Sequence, residues 1–160
     1  MGMDNDELAA LVAGLGVAIG DVTSEWERKK ERIETLVDMY IDLGCKYIGV
    51  ERSEMPPVKI GYSMTHGEWI GEFGMRHDGT LAGRWGEINF NRRYVERYFE
   101  LICDEVVPHE VAHMTEREHQ IAVFGTILPD RVQGHTASWR RIMKFFGIDK
   151  PERHWLHGDA

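Results

Sequence analysis

The chain has 160 residues, of which 42% are hydrophobic and 29% charged, and its formal net charge is −8. That length suits one compact domain with a real core, and the composition excludes a disordered or membrane-embedded chain. The acidic balance excludes a protein that coats nucleic acid by bulk electrostatics, because neutralising phosphates needs an excess of Lys and Arg at the contact.

The first apolar stretch, Leu8 to Gly20, is too short to span a bilayer and follows acidic residues rather than a basic signal-peptide start, so no membrane partner is expected. Residues 6–18, overlapping it, read as a short helix. A longer helix is expected over 23–44, with Thr23 or Ser24 as N-cap and Gly44 as its stop. Trp26, Ile33, Leu36, Val37, Tyr40 and Ile41 recur there at helical spacing and read as core. Cys45 and Cys103 belong to no CxxC, which excludes a disulfide framework and a cysteine zinc ribbon and makes a reducing cytoplasm the simplest location.

From 46 to 90 the texture changes to short β-like runs, PPVKIGYSM, EWIGEFGMR and RWGEINF, with HDGT as a turn. A small antiparallel sheet is expected. Asn91 is a plausible N-cap for helix through about residue 120, GTILPDRVQG reads as a loop, and TASWRRIMKFFG as a last helix. Two basic segments, RKKER at 28–32 and NRRYVER at 91–97, are the candidates for a local nucleic-acid patch, through Arg28, Lys29, Lys30, Arg92 and Arg93. Both are interleaved with glutamates, as solvated helix faces are. Trp69 and Trp85 can stack bases from a sheet face or simply pack.

The stretch that carries chemistry is PHEVAH, residues 108–113. On a helix His109 and His113 are four residues apart and project from one face, so both can grip a single metal ion. Glu110, beside the first ligand, can act as general base toward water held at that metal. Val106, Val107, Val111 and Ala112 make the surroundings apolar, where unpaired polar groups are costly and a metal would supply a partner.

A catalytic zinc site has three protein ligands and an open fourth position. His135, after Gly134 and at the start of the last helix, is the leading third ligand. His119 lies six residues past His113 and faces away on a straight helix, and Glu152 is the only downstream glutamate candidate. Cys103 on the metal would instead indicate a closed structural site, but its position six residues before His109 points it elsewhere. His66, His77, His154 and His157 read as surface or hydrogen-bonded histidines, with His154 or Arg153 able to place positive charge near a substrate oxyanion. Pro108 removes a backbone N–H and starts or kinks the helix. Asp104 and Glu105 read as first-turn acids or as acceptors holding a ligand imidazole in its tautomer.

INFN followed by a helix, then DEVVPHEVAH, then GHTASWRRIMKFFG resembles the SprT metalloprotease family, which includes Spartan, over about residues 57–155. The resemblance implies an α+β, zincin-like core with a small antiparallel sheet packed on helices and HEVAH on the active-site helix. Length and pattern together give one domain over 1–160, with N-terminal helices over 1–45 and the sheet and catalytic helices over 46–160. The resemblance also implies one catalytic Zn2+ held by His109, His113 and His135, with Glu110 as base and a protein as substrate. The third histidine is followed by Thr136 where the family's pattern has Gly. Spartan-like members cleave proteins crosslinked to DNA and are stimulated by DNA. The cysteines of their DNA-binding zinc subdomain are missing here, so a minimal SprT protease with another protein substrate fits equally well. A non-catalytic, DNA-associated metal-binding module is the alternative of a different class, and the intact Glu110 speaks against it.

Overall fold

The computed structural model describes residues 24–64, 69–127 and 135–149. The helix expected over 6–18, together with His66, Glu152, Arg153, His154 and His157, lies outside the described residues. Helix α1 (Glu25–Ile48) places Ile33, Val37, Ile41 and Cys45 on one buried stripe at four-residue spacing. Acidic residues occupy its first turn and Lys46 its last, as the helix dipole favours.

Ser24 is at the N-cap, but the expected stop at Gly44 is five residues early. The helix ends at Gly49, whose φ of 84° allows its N–H to bond the Cys45 carbonyl at 2.8 Å. Gly44 is buried inside the helix for a different reason: a Cβ there would stand 2.4 Å from Thr115 Oγ1. Its missing side chain is what lets α1 approach the helix carrying the histidines.

A 3₁₀ turn (Arg52–Glu54) leads to strands β1 (Val58–Ser63), β2 (Gly71–His77) and β3 (Arg84–Asn91). The sheet is mixed, not antiparallel as expected: the order is β1–β3–β2, with β2 antiparallel and β1 parallel to β3. The loop between β2 and β3 is a tight turn in which Asp78 accepts from Thr80 and Gly79 has φ of 97°, so these two strands must be antiparallel. The chain reverses between β1 and β2 as well, but β3 fills the place between them. A strand antiparallel to β2 on the far side of β3 is necessarily parallel to β3.

Asn91 caps α2 (Arg92–Arg97), its side chain accepting from the Arg93 N–H at 3.1 Å. One further helical turn (Phe99–Leu101) and a π turn (Ile102–Val106) then feed α3 (Val107–Phe124). In the π turn the Val107 N–H reaches back five residues to the Ile102 carbonyl. This wider turn lies directly before Pro108, whose ring and missing N–H would disrupt an ordinary helix interior. Helix α4 (Ala137–Phe145) follows the third histidine.

The core lies between α1, α3, α4 and one face of the sheet, around Ile33, Ile88, Phe90, Val111, Met114 and Trp139. The sheet meets α3 closely at Gly86, where a Cβ would be 3.5 Å from Met114 Sδ. Among the described residues no helix is long and apolar enough to cross a membrane.

Candidate metal centre

Helical spacing brings His109 and His113 to the same side of α3, and the chain entering α4 brings His135 over them. Their ring nitrogens converge: Nε2 of His109 lies 3.2 Å from Nε2 of His113 and 3.2 Å from Nε2 of His135. All three donor atoms lie within 4.8 Å of one another, close enough to hold a metal ion. Two nitrogens each about 2.05 Å from a tetrahedral ion would be about 3.3 Å apart, so the spacing fits such an ion. Three imidazoles with no thiolate are a donor set suited to zinc, copper, iron or nickel.

Two of the imidazoles, those of His109 and His113, are held neutral. Burial first, then the neighbouring histidines, push His109 down to about 2. The same causes, burial and then His135, push His113 down to about 4. His109 is therefore uncharged at neutral pH. The 3.9 Å approach of Glu110 Oε1 to its Nε2 is a contact between a carboxylate and a neutral ring, not an ion pair.

Glu110 is buried beside the cluster and faces the beginning of β2. A Cβ at Gly71 would be 3.4 Å from Glu110 Cγ and 3.0 Å from Val106 Cγ1, so glycine eases the close passage of β2 beside the carboxylate. Trp139, one turn into α4, forms the floor. Its ring stacks on His135 at 4.2 Å and on His113 at 5.4 Å between centroids. Its Nε1–H donates to the His109 carbonyl at 3.3 Å. Reasoning from the sequence passed over Trp139, although its place four residues after His135 sets it one helical turn away.

The other candidates are placed as follows. His119 stands outside the cluster, edge-on to Tyr47 at 5.8 Å. Cys103 is buried in the core, and burial pushes its thiol up to about 11, so it stays protonated. Asp104 is exposed and Glu105 half-buried in the π turn. His77 is exposed at the end of β2, accepting from the Gly79 N–H.

The two basic segments meet across α1 and α2, but their cations are engaged with acids. Lys29 pairs with Glu25 at 3.4 Å, Lys30 with Glu27 at 3.6 Å, Arg32 with Glu100 at 3.2 Å and Arg92 with Glu96 at 3.3 Å. Arg92 also covers the Trp26 ring at 4.2 Å. Arg28 and Arg93 are exposed. Trp85 is half-buried, donates to Glu87 and lies under the Lys59 ammonium, while half-buried Trp69 accepts from Asn91 through its carbonyl. Neither tryptophan joins the metal cluster.

No protein-family model, curated protein or solved structure matches this chain.

Proposed function

We propose that the chain is a zinc-dependent endopeptidase of SprT type with a zincin-like core, in which His109, His113 and His135 hold the ion. The observation that carries the reading is the convergence of three imidazoles with the Glu110 carboxylate at the head of an open strand edge. A zinc ion held by three imidazoles lowers the pKa of water toward about 7 and polarises a peptide carbonyl. Glu110 takes the proton of the attacking water and delivers it to the amide nitrogen as the C–N bond breaks.

The strand edge supplies a way to orient an extended substrate. The Asn91 N–H bonds the Ile70 carbonyl at 2.9 Å, which fixes the alternation of the β2–β3 ladder. By that alternation Gly71, Phe73 and Met75 turn their backbone N–H and C=O groups toward the other edge of β2. No described strand pairs with that edge. A peptide segment added there as a further strand passes Gly71 and so reaches Glu110.

A protein substrate is therefore the centre of the proposal. DNA-bound or DNA-crosslinked proteins are the class the Spartan resemblance implies, and the paired state of the basic face makes DNA stimulation a question for experiment. The test is a cleavage assay of the zinc-loaded protein against Glu110→Gln, on a DNA-binding protein free and crosslinked to DNA, with and without single-stranded DNA. Wild type is expected to cleave, and Glu110→Gln to retain zinc while losing about 10²–10⁴-fold in rate. Acceleration by DNA would add the repair role, and DNA-independent cleavage would remove it. A zinc-loaded wild type that cleaves nothing would move the assignment to a non-catalytic metal-binding module.

A further inference from the structure

Thr136 joins the helix of the first two histidines to the helix that follows the third. Its hydroxyl donates to the Glu116 carboxylate on α3. The same oxygen accepts the Trp139 N–H at 3.1 Å, capping α4. Glu116 is only 3% exposed and lies one turn past His113, so this carboxylate is an interior group fixed to the same helix as two of the three histidines. His135 precedes α4 and belongs to no helix or strand. What fixes its backbone on the C-terminal side is therefore the residue that follows it.

We propose that the Thr136–Glu116 hydrogen bond is a positioning contact that holds His135 over His109 and His113. The inference rests on the metal-centre reading above and goes beyond it by naming what orients the third ligand. A hydroxyl given to a buried carboxylate is a charge-assisted bond, stronger than a neutral one, and losing it leaves a buried carboxylate short of a donor. Glycine, which the SprT pattern has after this histidine, offers no hydroxyl, so the device belongs to this chain.

Capping and positioning are separable. The cap needs only an acceptor at residue 136, whereas the anchor needs both the hydroxyl proton and the Glu116 carboxylate. Glu116→Met removes the anchor and leaves the cap, Thr136→Val removes both, and Thr136→Ser keeps both. The readouts are zinc affinity by chelator competition and the visible absorption of the cobalt-loaded protein, with circular dichroism reporting the fold.

Wild type and Thr136→Ser are expected to share one affinity and one cobalt spectrum. Glu116→Met and Thr136→Val should bind zinc about 10–100-fold more weakly, as losing a partner behind a metal ligand does, with an altered cobalt spectrum. Folded Glu116→Met and Thr136→Val proteins with wild-type affinity and spectrum would overturn the proposal. Should both fail to fold, Glu116→Gln decides: it keeps the shape and weakens the acceptor, so a smaller affinity loss supports the anchor and an unchanged affinity refutes it. A wild type that binds neither zinc nor cobalt would remove the metal centre and this inference together, whereas wild-type binding with indifferent variants removes the inference alone.

Discussion

In the interior between α3 and α4, three imidazoles face one another, and burial keeps those of His109 and His113 neutral. On the outside of α1 and α2, by contrast, lysines and arginines alternate with glutamates at ion-pair distance. Both regions are rich in groups that can bind something, and both stand out in the sequence. They differ in balance. The exposed charges answer each other, so the fold accounts for them, while the buried histidines are like groups crowded together, which folding alone does not favour. Crowding without balance marks the region where three histidines lie close enough to hold a metal ion.

A buried but balanced pair sharpens this contrast. Arg84 on β3 gives two hydrogen bonds to Glu118 on α3, at 3.0 and 2.7 Å, and its side chain and that of Glu118 are 15% and 4% exposed. The same guanidinium donates to the Leu81 and Glu54 carbonyls. Arg84→Met leaves Glu118 buried without its partner and should lower stability by about 3–5 kcal/mol in chemical denaturation. Adding Glu118→Met should restore most of the loss. A single variant within about 1 kcal/mol of wild type would mean that balance in the interior matters less than argued here.

The histidine cluster was legible because a four-residue spacing is a property of any helix, and α3 keeps that period through residues 109–113. His135 was legible as a histidine at a helix start. What held it in place was not, since the contacts of Thr136 and Trp139 with α3 join residues 20 and 30 positions apart. Gly44 misled for the same reason: after an apolar helical run a glycine reads as a stop, and only the approach of Thr115 from α3 reveals it as a packing site. The direction of β1 was likewise hidden. Short strands carry their period in the sequence but not their neighbour, and the expected antiparallel sheet gave way to a mixed one with β1 on the far side of β3.

The imbalance of the cluster should be visible in the metal-free protein as a pH dependence. In the unfolded chain these histidines take up protons near pH 6.5, while in the fold His113 does so only near 4 and His109 near 2. Between those values the unfolded form binds more protons, so stability falls as the pH drops from about 6.5 toward 4. Denaturant midpoints of chelator-treated protein should decline steadily over that window. Zinc, which binds the neutral rings, should raise the midpoint throughout without flattening the decline, because the unfolded chain still takes up the protons. A midpoint unchanged between pH 7 and 5 would mean that the rings are not held neutral.

The smallest effects belong to the basic face. Glu96→Gln together with Glu100→Gln takes the partners from Arg92 and Arg32, whose pairs lie at 3.3 and 3.2 Å on the surface. Each such pair contributes about 0.5 kcal/mol, so the double variant should lose about 1 kcal/mol or less. The aromatic contacts of Arg92 with Trp26 and of Arg32 with Phe99 remain to hold the side chains in place. The informative readout is affinity for single-stranded DNA, followed by fluorescence anisotropy at low salt. Freed of their acids, these cations can neutralise phosphates, and binding should tighten with a steeper salt dependence. That outcome would make the glutamates the reason the face is closed to nucleic acid in the wild type. Binding unchanged by the release of two arginines would instead detach this face from any role with DNA, and would leave the buried cluster as the site on which function rests.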